Sequence, residues 1–153
     1  MKKIKIIGCG NILAFDEGVG IHISRRLRRE ILPEWVTIEE LKSPGQMSNR
    51  LIAGSDKLII IDACRGEAGQ GEFIRLCSRR DGDIKNLFSC TIHAIYLSSL
   101  FETKDKDFTG KLPEEVVVFG VKIEKRNKFG VGLSNEVFAS LDNIINAVLQ
   151  ELY

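Results

Sequence analysis

A glycine-rich stretch near the amino terminus carries two neighbouring acids. Asp16 and Glu17 stand between the apolar run Ile4-Lys-Ile-Ile7 and a helical pattern, with glycines on both sides. A strand that leads into such a loop and then a helix is how an open α/β sheet forms its binding crevice. Glycines lack a Cβ, so the backbone can turn tightly and approach a ligand. Asp16 and Glu17 are therefore candidate functional residues.

Two further polar residues are expected at the same edge of the sheet. Asp62 closes the apolar run Leu58-Ile-Ile-Ile61, and His93 lies in the first turn of a later helix. With Glu17 they form a plausible donor set for a divalent metal, because imidazole suits nickel, zinc and copper while carboxylates are harder donors. The helix N-terminus disfavours imidazolium, which helps to keep His93 able to ligate. The spacing alone equally allows structural roles, with an anion at one helix start and a first-turn histidine at another.

Nucleotide binding is the main alternative to this chemistry. The segment Gly8-Cys-Gly10 begins like the dinucleotide fingerprint, but Leu13 stands where the third glycine belongs. Glu39 or Glu40 after the second strand remains available to hold a ribose. A non-catalytic small-ligand or nucleotide-binding α/β domain would use the glycine-rich loop to hold an anion. The sequence contains no Walker A loop, Gly-x-Ser-x-Gly elbow or His-Glu-x-x-His motif.

The composition limits the partners and the compartment. Among 153 residues, 22 Lys and Arg nearly balance 21 Asp and Glu, so no net field favours nucleic acid or an anionic membrane. No secretory signal and no apolar run of membrane-spanning length is seen. The cysteines form no Cys-x-x-Cys pair and are expected to be reduced thiols in the cytoplasm. Cys9 and Cys64 flank the crevice, but the pattern favours small buried residues over thiol nucleophiles.

Strands and helices alternate along the chain, which predicts an α/β sandwich with a mostly parallel sheet in one domain, residues 1–153. Strands are predicted at 3–8, 35–41, 57–62 and 116–121, with a weaker strand, a candidate edge strand, at 72–77. Helices are predicted at about 18–31, 46–53 and 92–102, and after Ser134, which can cap the last helix. Loops are expected at 43–45, 66–71, 104–111 and 122–132.

Three predicted helices carry apolar stripes at helical spacing. In the first helix the stripe is Val19, Ile23, Leu27 and Ile31. In the helix that Thr91 would cap, the inner side is predicted as Ile92, Ile95, Tyr96, Ser99 and Leu100. In the last helix the stripe is Val137, Leu141, Ile144, Ile145, Val148 and Leu152.

Several segments of the sequence resemble motifs of a known family, the hydrogenase maturation endopeptidases. The stretch Gly8-x-Gly-Asn-x-Leu-x-x-Asp-Glu-Gly-x-Gly20 is similar to the family's opening motif, and Ile60-Ile-Asp-Ala63 to the strand that ends in its second metal-contacting acid. The segment Thr91-Ile-His93 resembles its Ser-x-His segment. Val118-Phe-Gly-Val-Lys and Gly130-Val-Gly-Leu-Ser134 resemble its closing strand, loop and helix start. The resemblance covers essentially the whole chain, although Ser43-Pro-Gly45 departs from the family pattern.

The resemblance implies both a fold and an activity. The expected fold is a three-layer α/β/α sandwich with a mixed five-stranded sheet, in which the strand around Phe73 is the antiparallel one. The expected activity is that of an aspartyl-type endopeptidase, a hydrolase that removes the C-terminal extension of a nickel–iron hydrogenase large-subunit precursor. By the same resemblance, Glu17, Asp62 and His93 contact nickel carried by the substrate, and Asp16 supports Glu17 or its loop. No tightly bound metal of the enzyme's own is expected.

Overall fold

Five strands form one mixed sheet in the order β2-β1-β3-β5-β4. The structure is a computed structural model that describes residues 2–43, 48–66, 69–79, 84–102, 110–124 and 128–153. The strands are β1 (Ile4–Cys9), β2 (Val36–Leu41), β3 (Lys57–Arg65), β4 (Phe73–Arg79) and β5 (Glu115–Ile123). Pairs β1–β2, β1–β3 and β3–β5 are parallel, whereas β4 pairs antiparallel with β5 at one edge. The predicted weak edge strand is therefore the antiparallel one.

Helices cover both faces of the sheet, which gives the predicted three-layer sandwich. A 3₁₀ helix (Phe15–Gly18) leads into α1 (Val19–Leu27). The other helices are α2 (Asn49–Ile52), α3 (Ile84–Leu87), α4 (Ala94–Ser99) and α5 (Asn135–Gln150). Ser134 caps α5 as predicted, because its hydroxyl accepts a hydrogen bond from Val137 N at 3.4 Å.

Two apolar clusters lie on opposite faces of the sheet because side chains alternate along each strand. One face of β3, with Ile59 and Ile61, packs against α1 and α5. The other face, with Leu58 and Ile60, packs against α2, α3 and α4. The predicted stripe of α5 is buried throughout. The continuous apolar runs of β3 and β5 are thus covered on both sides, as expected for central parallel strands.

Two of the predicted helical stripes are partly wrong. Helix α1 ends at Leu27, and Ile31 is 99% exposed because the chain has by then left the helix and heads toward β2. Helix α4 begins at Ala94 with His93 as its N-cap, so Thr91 caps nothing here and bonds back to Phe88 O at 2.8 Å. Ile95, Tyr96 and Ser99 are exposed, Ile95 to 83%, so these three predicted inner residues are wrong. Leu100 is buried as predicted, and Leu97, which was not predicted, is buried with it.

Other element boundaries differ by a few residues. Strand β3 runs three residues beyond Asp62, so Asp62 lies within the strand and does not close it. Helix α3 was not predicted. Positions 44–45 of the predicted turn at Ser43-Pro-Gly45, positions 46–47 of the predicted 46–53 helix and positions 104–109 of the predicted loop 104–111 lie outside the described residues. The same holds for 67–68 and 125–127 within predicted loops. In the part of the chain that is described, no helix has the length and apolar character needed to cross a membrane.

Candidate active site

The candidate site lies where the strand order changes direction. Strand β1 sits between β2 and β3, so the chain leaves β1 toward one side of the sheet and later returns on the other. In open α/β sheets such a switch point opens a crevice at the carboxyl ends of the strands. The pairing of β1 with β3 stops at Gly8 opposite Ile61, whereas β3 continues beside β5 to Arg65. Asp62 is the first residue of β3 beyond this pairing.

The segment before α4 pairs with β3, and this pairing places His93 next to Asp62. Ile92 N donates to Ala63 O at 2.9 Å, and Cys64 and Thr91 form an isolated antiparallel bridge. Asp62 shares its face of β3 with Leu58 and Ile60, which is the face that α4 covers. Backbone pairing and strand alternation together therefore place these two residues side by side, although 31 positions separate them in the sequence.

Asp62 is fully buried and holds His93 by both its ring and its backbone. His93 Nδ1 lies 2.9 Å from Oδ1 and 3.0 Å from Oδ2 of Asp62. The backbone N–H of His93 donates to Oδ2 at 3.2 Å, and Ala63 N donates to Oδ1 at 2.9 Å. With a carboxylate at Nδ1, the ring carries its proton there and presents Nε2 to the crevice.

The same contact sets the protonation of the pair. The hydrogen bond from the ring to Asp62 raises the pKa of His93, and the charge of Glu17 raises it further, against the opposing effect of burial. Burial raises the pKa of Asp62, and the hydrogen bonds from His93 and Ala63 only partly offset this. The helix N-terminus led to the prediction that the His93 ring is neutral. The Asp62 carboxylate acts in the opposite direction, because it favours the charged form of the ring.

Glu17 is the carboxylate of the site that remains available. It is half-buried in the 3₁₀ helix after β1, and its side chain has no hydrogen bond or ion pair with any described residue. Its charge nevertheless acts on His93. The structure thus brings Asp62 and His93 into contact and leaves Glu17 within electrostatic range of the ring. Among the described residues, no three His, Cys, Asp or Glu side chains are grouped closely enough to hold a metal ion.

Asp16, by contrast, is buried and engaged in a structural contact. Its Oδ1 accepts a hydrogen bond from Ser134 N at 2.7 Å. This bond ties the 3₁₀ helix to the N-cap of α5, so Asp16 supports the loop, as one of its two predicted roles requires. The adjacent acids therefore have different environments: Asp16 is buried and bonded to Ser134, while Glu17 is half-buried and its side chain bonds to none of the described residues.

Two residues that shape this loop were not identified as functional from the sequence. Phe15 has a φ of 50°, in the left-handed region that bulky residues avoid at a cost of about 1–2 kcal/mol. Its ring lies on Gly130, where an added Cβ would come within 2.7 Å of Cε2 and closer to Cζ and Cε1. Phe15 N also donates to Gly130 O at 2.9 Å. Strain of this kind persists only where the surroundings enforce it, as they often do at functional sites.

The glycines of the opening loop serve packing between strand and helix. A Cβ on Gly8 would lie 2.7 Å from Ser24 Cβ, and one on Gly20 would lie 2.7 Å from Cys9 N. The first turn of α1 therefore rests directly on the backbones of β1 and β3. The space that a nucleotide phosphate would need beside Gly8 and Gly20 is filled by this contact. The expectation that these two glycines admit a ligand is not met.

Cys9 and Cys90 lie within electrostatic range of Asp62, Cys90 also neighbours Cys64, and burial raises the pKa values of Cys9 and Cys90. Cys9 and Cys64 are buried, as predicted, and Cys90 is partly exposed. Burial, together with the charge of Asp62, raises the pKa of Cys9 well above its ordinary value. Burial and the neighbouring Cys64 thiol raise the pKa of Cys90 to about 12. Thiolates, not thiols, are nucleophiles, so neither environment activates Cys9 or Cys90.

A cavity of 490 Å³ opens next to the histidine. Its lining includes Arg65, Cys90, His93, Ile95 and Tyr96. Ile95 and Tyr96 are exposed apolar side chains there, while Arg65 supplies a positive charge at the end of β3. His93 therefore lines an open groove together with exposed apolar side chains and a positive charge, and the Glu17 carboxylate lies within electrostatic range of its ring.

Comparisons with known proteins agree with one another. The sequence profile described as hydrogenase maturation protease matches residues 21–151. The chain is 30% identical over 151 residues to the hydrogenase 2 maturation protease of Escherichia coli K12, covering 98% of this chain and 90% of that protein. It is similar in structure to the E. coli hydrogenase maturating endopeptidase HybD, with a TM-score of 0.81, 29% identity and coverage of 99% and 92% of the two chains. The hydrogenase 2 maturation peptidase of a Thaumarchaeota archaeon gives a TM-score of 0.72, 26% identity and coverage of 99% and 98%.

Proposed function

The chain belongs to the hydrogenase maturation protease family, and from this premise we propose that it cleaves the C-terminal extension from a nickel-loaded large-subunit precursor of a nickel–iron hydrogenase. Membership of the family makes it a peptidase. The observation that carries the rest of the proposal is the pair formed by Asp62 and His93 at the switch point, with Glu17, which bonds to no described residue, within electrostatic range of the ring.

Glu17, Asp62 and His93 are proposed as the nickel-recognising residues, with unequal tasks. His93 offers Nε2 because Asp62 occupies Nδ1, and Glu17 offers a carboxylate that no described residue holds. Both oxygens of Asp62 already accept hydrogen bonds, so Asp62 acts first by fixing the ring of His93. Imidazole and carboxylate are suitable donors for nickel. In this proposal nickel arrives with the precursor as part of the substrate.

Recognition of the metal would place the scissile peptide in the groove beside His93. A metal ion can polarise a carbonyl as a Lewis acid or lower the pKa of a bound water. The residues of this chain would then position the precursor. His93 and Glu17 would contact the metal, and the cavity lined by Ile95 and Tyr96 would bind the precursor's C-terminal segment. We retain the aspartyl-type class in the proposal because Asp62 orients the only histidine of the site.

The proposal includes a compartment and a domain organisation. We place the reaction in the cytoplasm, because Cys9, Cys64, Cys77 and Cys90 are free thiols, and such thiols are typical of reducing compartments. The partner is the precursor protein, and the near balance of charge gives no support for nucleic acid or an anionic membrane. One sheet and its two helical layers would form the whole catalytic unit, residues 1–153.

The test uses one precursor in two forms. Purified enzyme is incubated with a nickel-loaded hydrogenase large-subunit precursor and with the same precursor prepared without nickel, and the products are measured by intact mass. We expect loss of the C-terminal segment from the nickel-loaded form alone. Equal cleavage of both forms would refute recognition of nickel. Absence of cleavage across a panel of nickel-loaded precursors would refute the proposed substrate class.

A further inference from the structure

We propose that Phe15 is a positioning residue for Glu17, held in a strained conformation by Gly130 so that the Glu17 carboxylate faces the site. The inference rests on the proposed function, because it assigns Glu17 to recognition of substrate nickel. Phe15 acts through the backbone that it shares with the 3₁₀ helix.

The first observation is that the Glu17 side chain is not fixed by any partner of its own among the described residues. Its position must then come from the backbone. Glu17 N donates to Ala14 O at 3.2 Å, and the Glu17 carbonyl rests on Gly10, where an added Cβ would collide with it. The next residue, Gly18, lies against the backbone of Asn11 and Ile12. The direction of Glu17 is therefore set by how the loop 10–18 is folded.

The second observation is that this loop is fastened to the segment before α5. Gly130 N donates to Leu13 O at 2.6 Å, and Phe15 N donates to Gly130 O at 2.9 Å. One residue further along, Asp16 Oδ1 accepts from Ser134 N at 2.7 Å. Three hydrogen bonds thus join positions 13–16 to positions 130–134, directly before Glu17.

The third observation is the fit between the Phe15 ring and Gly130. The φ of Gly130 is not in the left-handed region, so its backbone conformation does not require glycine. Glycine is required at this position because a Cβ would collide with the Phe15 ring. The ring fills that space, and the Phe15 backbone adopts a φ of 50° to put it there. A side chain at 130 would displace the ring and allow the loop to relax. The strained backbone conformation of Phe15 therefore fixes the loop, and the fixed loop defines the orientation of the Glu17 side chain.

The test is a set of variants assayed on nickel-loaded and nickel-lacking precursor: Phe15→Ala, Gly130→Ala, Glu17→Gln, and each of the first two combined with Glu17→Gln. Misplacement by about 1 Å can cost on the order of a hundredfold in rate. We expect Phe15→Ala and Gly130→Ala to lower kcat/KM on the nickel-loaded precursor about tenfold or more. All three substitutions impair the same interaction, that of the Glu17 carboxylate with the metal. Adding Phe15→Ala or Gly130→Ala to Glu17→Gln should therefore lower kcat/KM little further.

The control is Gly54→Ala, which strains a backbone of φ 83° where nothing lies within 4 Å and which is remote from the loop. It should leave cleavage unchanged. Full additivity with Glu17→Gln, or undiminished cleavage by folded Phe15→Ala and Gly130→Ala, would overturn the inference. A wild-type enzyme that cleaves no precursor would instead refute the proposed function.

A structural readout then still decides the positioning role. In NMR spectra of the free protein, Gly130→Ala should shift the Glu17 amide resonance and Gly54→Ala should not. An unmoved Glu17 resonance in Gly130→Ala would contradict the inference whatever the substrate is.

Discussion

His93 is bound by Asp62 at two points, with Nδ1 2.9 Å from Oδ1 and the backbone N–H 3.2 Å from Oδ2. One buried carboxylate therefore sets both the place where α4 begins and the orientation of the imidazole. A ring fixed in this way offers a single nitrogen, Nε2, to whatever enters the crevice. The pair is a positioning device in which neither residue can be replaced without altering the other.

Replacement of Asp62 by Asn should severely impair processing. The amide keeps the shape but replaces one acceptor oxygen with an NH₂ donor, so it cannot accept hydrogen bonds at both positions, as the carboxylate does from the ring and backbone N–H of His93 and from Ala63 N. Loss of such an orienting partner typically costs about 10- to 100-fold, and Asp62→Ala should abolish cleavage. The measurement is the rate of mass loss from nickel-loaded precursor, with circular dichroism to verify the fold. Full activity of Asp62→Asn would contradict both the orienting role and a direct contact with nickel.

The strands and the last helix were predictable from the sequence because their signals are local. Continuous apolar runs mark β3 and β5, and the spacing from Val137 to Leu152 marks the buried side of α5. The prediction that Ile31 belongs to the buried stripe of α1 was wrong, because a periodic pattern does not show where a helix ends. Similarly, α4 starts later than predicted because His93 is drawn to Asp62, which is a long-range contact.

The site was only partly predictable for the same reason. Position after a strand or at a helix start indicated Glu17, Asp62 and His93, and the family resemblance supported the set. The structure alone places Asp62 behind the His93 ring, since nothing local links residues 31 positions apart. Phe15 gave no signal because a left-handed backbone is expected of glycine or asparagine, not of phenylalanine.

Conversion of Cys9 or Cys64 to Ser should retain processing, with some loss of stability. Both side chains are buried, so a hydroxyl there must find a new hydrogen-bond partner. We expect each folded variant to cleave nickel-loaded precursor at close to the wild-type rate, with a lowered melting temperature. Loss of cleavage in a well-folded Cys9→Ser or Cys64→Ser protein would indicate a thiol nucleophile.

Glu151 should make stability depend on pH. Its carboxylate is 2.8 Å from Lys57 Nζ and also bonds to Arg75. Although burial acts in the opposite direction, the bonds to Arg75 and Lys57 lower the pKa of Glu151. A lowered folded-state pKa contributes stability that is present above the unfolded pKa, about 4.3, and is lost as pH falls through the folded value.

We therefore expect Glu151→Gln to lower the free energy of unfolding at pH 7 by about 1.5–3 kcal/mol, the range for hydrogen bonds to charged groups. The difference from wild type should shrink as pH falls from about 4.3, the unfolded pKa, through the lowered folded pKa, below which both chains carry a neutral side chain at this position. Urea unfolding at pH 7 and at lower pH measures it. A difference that is the same at every pH would show that the ion pairs do not produce the effect.

Substitution of Asp16 should separate a structural role from a charge role. Asp16 Oδ1 accepts from Ser134 N at 2.7 Å, and the side chain is buried. Asp16→Asn keeps an acceptor oxygen in place, whereas Asp16→Ala removes the hydrogen bond of the half-buried Ser134 N–H at a cost of about 1 kcal/mol, the net contribution of a typical intramolecular hydrogen bond. We expect Asp16→Asn to retain most stability and processing, and Asp16→Ala to lose both as the loop before Glu17 loosens. Thermal melting and the cleavage rate of nickel-loaded precursor give the comparison. If Asp16→Asn lost as much activity as Asp16→Ala while remaining as stable as wild type, the negative charge itself would be required, and Asp16 would join Glu17 among the residues that face the metal.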